Sequence, residues 1–200
     1  MVKIGILAVQ GDFAEHKLML TNLGIDAVEI RLPEQLDNID GLIIPGGEST
    51  TIAQLLDIFD LKNSIITKAK SGMPIWGTCA GMIMLASSLT DKRPTPLNLM
   101  NTVVSRNAFG RQIDSFEEDI EIKAIGHPKY RGIFIRAPMF IQIGEDVEVL
   151  AKLNNNNPVL VREKNLLASS FHPELTLDSR IHEYFIKMIK NQIKNENKTN

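Results

Sequence analysis

Short, wholly apolar runs alternate with amphipathic segments through the first half of the chain. Ile4 to Val9 is bounded by Gly11, and Asp12 stands three residues before Glu15, the spacing of a capping box, so a first strand is expected to feed a first helix. That helix carries Phe13, Leu20 and Leu23 among polar residues and stops at Gly24, with a short strand expected from Asp26 to Ile30. Gly41 to Ile44 is another buried run. It ends in Pro45-Gly46-Gly47, after which Ser49 or Thr50 can cap a helix through Leu56. A further helix around Asn63 to Lys70 leads to a strand from Pro74 to Gly77. Strands that are apolar on both faces and alternate with helices imply a doubly wound, mostly parallel sheet with helices on both faces, an α/β fold.

The second half has another rhythm. Ile120 to Ala124, Ile133 to Arg136 and Val147 to Leu150 alternate apolar with polar residues and read as antiparallel or edge strands added to the sheet. A last helix from about Asp178 puts Ile181, Phe185, Met188 and Ile189 on one face, and its polar tail, Asn191 to Asn200, is expected to fray. Asn154 to Asn157, ahead of Pro158, is a turn too short for a linker, so residues 1–200 are read as a single domain.

Composition narrows the function classes. With 24 acidic against 22 basic residues the formal charge is -2, which leaves no electrostatic footprint for phosphate backbones and excludes nucleic acid as an expected partner. One cysteine cannot make an internal disulfide or a multi-cysteine zinc site, so its importance must lie in packing or reactivity in a reducing compartment. The opening MVKIGILAVQGD reads as a strand rather than a signal peptide. No apolar stretch approaches the roughly 18 residues of a membrane span, so a cytoplasmic protein with no membrane partner is expected.

The sharpest chemical signal is Gly77-Thr78-Cys79-Ala80-Gly81, directly after the strand at Ile75 and Trp76 and before the apolar helix Met82 to Ala86. This is the strand, elbow and helix of a nucleophile. Side chains two residues either side of it would collide with neighbouring backbone, hence the glycines. The elbow lifts Cys79 to the carboxyl edge of the sheet, where open α/β sheets place ligands, and a helix N-terminus beneath the sulfur favours the attacking thiolate. His172-Pro173-Glu174, after the run Leu166 to Phe171, supplies a base and its orienting carboxylate, since residues two apart in an extended segment face the same side. Pro45-Gly46-Gly47-Glu48-Ser49-Thr50 is a glycine pair between strand and helix whose amides can stabilise an oxyanion, Gly47 together with the amide of Ala80. A phosphate loop fails here: with Gly41 and Gly46 in register, Gly47 falls where lysine is required and Glu48 where Ser or Thr is required.

Together these segments resemble the triad class I glutamine amidotransferases, whose glutaminase domain is a flavodoxin-like doubly wound sheet. More closely, LAVQGD, LIIPGGESTT, GTCAGMI, SRNAFGRQIDSFE, FIRAP and SFHPELTLDSRIHEYF resemble the glutaminase subunits of pyridoxal 5'-phosphate synthase, and these stretches run from Leu7 to Phe185. The resemblance implies hydrolysis of L-glutamine to glutamate and ammonia, with ammonia passed to a synthase subunit in a hetero-oligomer. It implies Cys79 as nucleophile with His172 and Glu174 as its relay, and Gly47, Glu48, Ser49, Arg106, Ile135 and Arg136 as glutamine-binding positions. A zwitterionic substrate wants an anion for its ammonium and a guanidinium for its carboxylate, which suits Glu48 and Arg106. Ile135 and Arg136 suit backbone contacts from a strand edge.

No cofactor or metal is expected on this chain; pyridoxal phosphate is implied only as the product of the complex. Two positions depart from the family pattern: Met139 follows Ala137-Pro138 where a histidine is common, and Asn101 stands where members often have Asp. His16, His127 and His182 match no catalytic motif, lack metal-ligand spacing, and are read as surface or packing residues. Two other readings are a glutaminase serving another synthase, such as the imidazole glycerol phosphate enzyme, and a non-enzymatic flavodoxin-type domain with an elbow cysteine. RNAFGRQ and FIRAP argue against the first; a relay beside an oxyanion loop argues against the second.

Overall fold

The apolar runs of the first half become neighbouring strands of one sheet. In the computed structural model, which describes residues 2–106 and 115–199, the chain runs Lys3–Leu7 (β1), Phe13–Asn22 (α1), Asp26–Ile30 (β2), Gly41–Ile44 (β3), Ser49–Ile58 (α2), Leu61–Lys70 (α3), Ile75–Thr78 (β4), Ala80–Leu85 (α4), Ala86–Leu89 (β5) and Met100–Ser105 (β6). It continues through Ser115–Ile120 (β7), Tyr130–Ile135 (β8), Met139–Ile143 (β9), Glu148–Lys152 (β10), Pro158–Glu163 (β11), Leu166–Ser169 (β12) and Arg180–Thr199 (α5). The main sheet has the order β10-β11-β12-β4-β3-β1-β2. From β2 to β12 every pairing is parallel, and β11 and β10 close one edge antiparallel.

Alternation along the central strands divides the core. Ile43, Trp76 and Leu167 face a cluster that takes in Leu20 of α1 and Ile181, Phe185 and Ile189 of α5. Their neighbours Leu42, Ile44, Ile75 and Ala168 face Ile52 and Leu56 of α2 and Leu61 and Ile65 of α3. A strand buried on both sides must be apolar throughout, and each such Leu or Ile contributes about 1.5–3 kcal/mol on burial. This is the mostly parallel, doubly wound α/β fold that the run pattern implies.

Four local expectations change. Asp12 is the N-cap residue of α1 but makes no capping hydrogen bond, so the Asp12–Glu15 box does not form. The cap of α2 is Glu48, whose side chain accepts from the Thr51 amide, in place of Ser49 or Thr50. Of the alternating segments, only Val147 to Leu150 joins the main sheet. Ile133 to Ile135 lies in β8, which pairs with β7 in a separate hairpin, and the chain leaves β7 at Ile120 for a 3-10 turn at Lys123–Ile125. The hairpin has its own reason to form: Phe116 and Phe134 stack across it at 4.5 Å between ring centres. Finally, α5 continues through Thr199 where a frayed tail is expected, supported by a Gln192 to Glu196 hydrogen bond one turn apart.

One contact positions the site. Helix α4 lies so close on β3 that a Cβ built on Gly81 would stand 1.9 Å from the Ile44 carbonyl oxygen, and one on Gly77 would meet the Gly81 carbonyl at 2.4 Å. Between these glycines the backbone crests at Cys79. A Gly81→Ala substitution is therefore expected to cost roughly 3 kcal/mol of stability by overpacking against backbone that cannot yield. Gly24→Ala, at a positive φ of 70° with open space around it, should cost only about 1 kcal/mol. Urea unfolding of the two variants checks this, and equal losses would show that α4 can lift from the sheet at little cost.

Candidate active site

Cys79 occupies a conformation that few residues other than glycine adopt, φ 48° and ψ -103°. Such a turn costs roughly 1–3 kcal/mol and persists only where its surroundings over-determine it. Here the Cys79 amide donates to Ser169 O on β12 at 2.8 Å, the Cys79 carbonyl accepts from the Ile83 amide at 3.3 Å, and the glycine contacts fix both sides. The thiol is thereby held at the carboxyl edge of the sheet, 8% exposed, with Sγ 4.0 Å from the Ile135 carbonyl oxygen.

His172 stands beside it, one turn past the end of β12. Its Nδ1 lies 2.7 Å from Glu174 Oε1, and Glu174 is buried behind the ring. The route differs from the extended geometry expected: Pro173–Leu175 forms a 3-10 turn, and that turn brings the carboxylate to the imidazole. The His172 amide is anchored by a hydrogen bond to Ile133 O on β8 at 2.9 Å, so the hairpin and the sheet share the ring. Burial alone would lower the imidazole's proton affinity. The hydrogen bonds and charges of Cys79 and Glu174 outweigh it and push His172 up to about 10. Burial raises the Glu174 carboxyl, against the pull of His172. One shared proton on the Nδ1–Oε1 bond satisfies both.

A cavity of about 410 Å³ opens in front of this pair. Every sequence-predicted site residue except Glu174 lines it: Cys79, Ala80, Gly47, Glu48, Ser49, Arg106, Ile135, Arg136 and His172. Gly47 has φ 146°, and a Cβ there would stand 2.5 Å from Gln10 Oε1, so the loop needs glycine. The Glu48 amide donates to that same Gln10 oxygen at 2.8 Å. Glu48 is doubly committed. Its Oε2 caps α2 through Thr51 and the Thr50 hydroxyl, while its Oε1 meets Arg106 Nη2 at 3.1 Å. Burial opposes the charge, yet the hydrogen bonds from Thr50 and Thr51 hold the carboxyl down at about 2. The Ser49 hydroxyl is buried with no hydrogen-bond partner among the described residues.

Arg106 is the last described residue before 107–114, so most of the RNAFGRQ stretch lies outside the described residues. Sequence reasoning missed Asp12, Ile83 and Leu175 as site residues, and all three also line the cavity. Asp12 Oδ2 stands 3.6 Å from His172 Nδ1; its failed capping role frees it for this, and the sequence had singled it out only as a cap. Gln10 was legible only as part of LAVQGD. Asp12, His172 and Glu174 have potential ligand atoms within 4.8 Å of one another, but His172 Nδ1 is the nitrogen already bonded to Glu174, so a metal ion could bind there only by replacing the relay.

Two further histidines are wholly buried beneath the site. His16 of α1 and His182 of α5 are both 0% exposed, so of the two readings packing holds for them, while His127 is at the surface. Burial, then His182 and His172, hold His16 well below its ordinary proton affinity, and burial lowers His182 to about 3. Unfolded, each takes a proton near 6.5. Below that pH the unfolded chain binds more protons, so stability falls as the solution is acidified. His172 acts in the other window: its raised value contributes fully below about 6.5 and is lost as pH rises toward 10. Urea midpoints are expected to peak near pH 6.5 and fall on both sides. Midpoints still rising through pH 9, or level from pH 6.5 to 5, would contradict this balance.

Comparison with known proteins places this geometry. A "Pyridoxal 5'-phosphate synthase subunit PdxT" from Dehalococcoides mccartyi is 54% identical over 191 residues, covering 94% of this chain and 98% of that protein. One of the same name from Thermosipho africanus is 50% identical over 189 residues, covering 94% and 100%. A solved structure described as "Crystal structure of glutamine amidotransferase" superposes with a TM-score of 0.89 at 48% identity, covering 94% of this chain and 98% of the other. The family model matches residues 6–191, a span that contains the whole cavity lining. On that match and these relatives, the chain belongs to the SNO glutamine amidotransferase family.

Proposed function

We propose that this chain is the glutaminase subunit of a pyridoxal 5'-phosphate synthase, hydrolysing L-glutamine to L-glutamate and ammonia in the cytoplasm and delivering the ammonia to a synthase subunit in a hetero-oligomer. The observation that carries the chemistry is a thiol fixed on a strained elbow beside a hydrogen-bonded imidazole–carboxylate pair, at the wall of a cavity that also holds opposite charges.

The steps follow from the placement of the groups. Cys79, its proton passed to His172, attacks the side-chain amide carbon of glutamine, and the oxygen gathers negative charge toward the amides of Gly47 and Ala80. His172, whose proton affinity is raised by its neighbours, gives its proton to the departing nitrogen, so ammonia leaves and a glutamyl thioester remains. Water then attacks the thioester carbon, losing a proton to His172, which passes it to the departing sulfur, so that glutamate and the Cys79 thiol are released. Glu174 keeps the ring in one tautomer and offsets its charge. Arg106 and Glu48 take the substrate's carboxylate and ammonium, and Ser49 Oγ, unpartnered and buried, has hydrogen-bonding capacity to offer it. The Ile135 and Arg136 backbone borders the same cavity. Cys79→Ala should fold with wild-type stability and release no measurable ammonia, since losing a nucleophile of this kind costs several orders of magnitude. Near-normal turnover in that variant would remove Cys79 from the mechanism.

Partner control has support in the loop. The Glu48 amide is occupied by Gln10, and the glycine pair lets neighbouring amides reorient at little cost. Leu175 lines the cavity, and Leu177, two residues on, is fully exposed, apolar surface that a docking subunit would cover. A partner that binds the oxyanion-donating form of the loop better than the resting form raises its population and hence the rate. The kcat for glutamine hydrolysis is expected to rise at least about tenfold when the synthase subunit is saturating, and Gly47→Ala should abolish that rise. Equal kcat with and without the partner would overturn partner control, and a fully activated Gly47→Ala enzyme would clear the loop of the role.

A further inference from the structure

The mechanism uses one oxygen of Glu174 and leaves the other in an unusual place. Oε1 takes the His172 bond, whereas Oε2 is buried without an aligned hydrogen-bond partner among the described residues. A histidine the mechanism does not use stands beside it: His16 Nε2, on α1, is hydrogen-bonded with Thr78 Oγ1 at 3.3 Å and lies 3.3 Å from Glu174 Oε2. On the far side of the same ring, His16 Nδ1 lies 3.0 Å from His182 Nε2 of α5. His182 Nδ1, at the end of the row, has no partner among the described residues.

These contacts determine where the protons sit. A buried N–H with no acceptor is rarer and costlier than an unused lone pair, so the bare nitrogen of His182 is Nδ1 and its proton is on Nε2. That Nε2–H can only donate to His16 Nδ1, which must then be the acceptor, leaving the His16 proton on Nε2 between Thr78 and Glu174. Trp76 packs against both rings in T-shaped contacts, 5.6 Å from His16 and 4.9 Å from His182 between ring centres.

We propose that His16 is a positioning residue of the relay: fixed by His182 as the neutral Nε2–H tautomer, it presents its N–H to Oε2 of Glu174 and so sets the carboxylate that orients His172. This rests on the reading of Cys79, His172 and Glu174 given above. The lowered proton affinity of both buried rings agrees with neutral tautomers. The consequence for Glu174 has a definite sign. The groups facing it are His172 on its own turn, Asp12 at the start of α1, His16 on α1 and the Tyr130 hydroxyl on β8. Burial and Asp12 raise the carboxyl against the pull of His172 and of its own backbone amide, so a donor facing Oε2 adds to what keeps it ionised as the solution becomes acidic. Without that donor Glu174 takes a proton at higher pH, and the relay loses its charge there.

Nitrogen-15 NMR of the histidine-labelled wild-type chain, which needs no turnover, tests the tautomers: His16 and His182 are expected as neutral Nε2–H forms throughout pH 6 to 8. In the presence of the synthase subunit, His16→Phe should lower kcat by roughly 10- to 100-fold with KM nearly unchanged, and move the acid limb of kcat/KM up by about one pH unit. His16→Gln puts an amide nitrogen where Nε2 stood, so it should recover kcat to within about threefold of wild type and restore the limb. A His16 Nδ1–H tautomer would overturn the proposal. So would equal losses in both variants with the limb unmoved, the signature of packing alone. Should His16→Phe not fold, the wild-type tautomers and His16→Gln still decide. A wild-type complex that releases no ammonia from glutamine would defeat the glutaminase reading instead, and the tautomer result would stand apart from it.

Discussion

The backbone crest at Cys79 is the constraint on which the rest of the site depends. A residue at φ 48° and ψ -103° relaxes unless something on each side forbids it. Here Gly77 and Gly81 let α4 settle onto β3 at a distance no side chain could share, and the hydrogen bond from the Cys79 amide to Ser169 ties the crest to β12. The same strand, β12, then runs on to His172 within three residues of Ser169. Two adjacent parallel strands thus deliver Cys79 and His172 to one edge in fixed register, Thr78 opposite Ser169. The strain at the elbow is offset by the apolar burial of β3 and β4, whose residues are all buried, so rigidity of the sheet and placement of the thiol are one property.

Beneath this edge the electrostatics run in the opposite sense to the core around them. A carboxylate and three histidines are buried where the chain otherwise places Ile, Leu and Trp. Burial of an isolated charge is costly, and the arrangement avoids it by giving the charge to the outermost pair and keeping the inner two rings neutral. The separation depends on distance from water: His172 touches the cavity, and His16 and His182 do not.

The sheet was legible because its strands are buried on both faces, which forces unbroken apolar runs such as Gly41–Ile44 and leaves no other reading of them. The elbow was legible for a steric reason that survives in the sequence as two glycines. What could not be read are contacts that depend on how helices meet. Asp12 carries a capping signature and instead faces His172. His16 and His182 are 166 positions apart and touch only because α1 and α5 cover the same face of the sheet. The segment Ile120 to Ala124 alternates like a strand but loses its pairing at Ile120, because β8, its partner, begins at Tyr130 and offers nothing beyond.

Glu48 shows how fold and recognition share one side chain. As the N-cap of α2 its Oε2 is held by Thr50 and Thr51, which fixes the carboxylate before any ligand arrives, and its Oε1 is left to face Arg106. Arg106 is itself held by a bond from Nη1 to the Arg93 carbonyl at 2.9 Å. The two charges therefore wait in place, each anchored by a contact that the substrate does not have to break. On the proposed reading of the site a zwitterion entering between them replaces one ion pair with two, and until then the resting pair keeps either charge from collapsing onto the helix or the loop. That reading gives a reason for a glutamate cap here, though Ser49 and Thr50 stand next to it and would cap a helix as well. A serine cap would satisfy α2 and leave Arg106 without this counter-charge, and the cavity wall would then hold the cation without the anion that faces it.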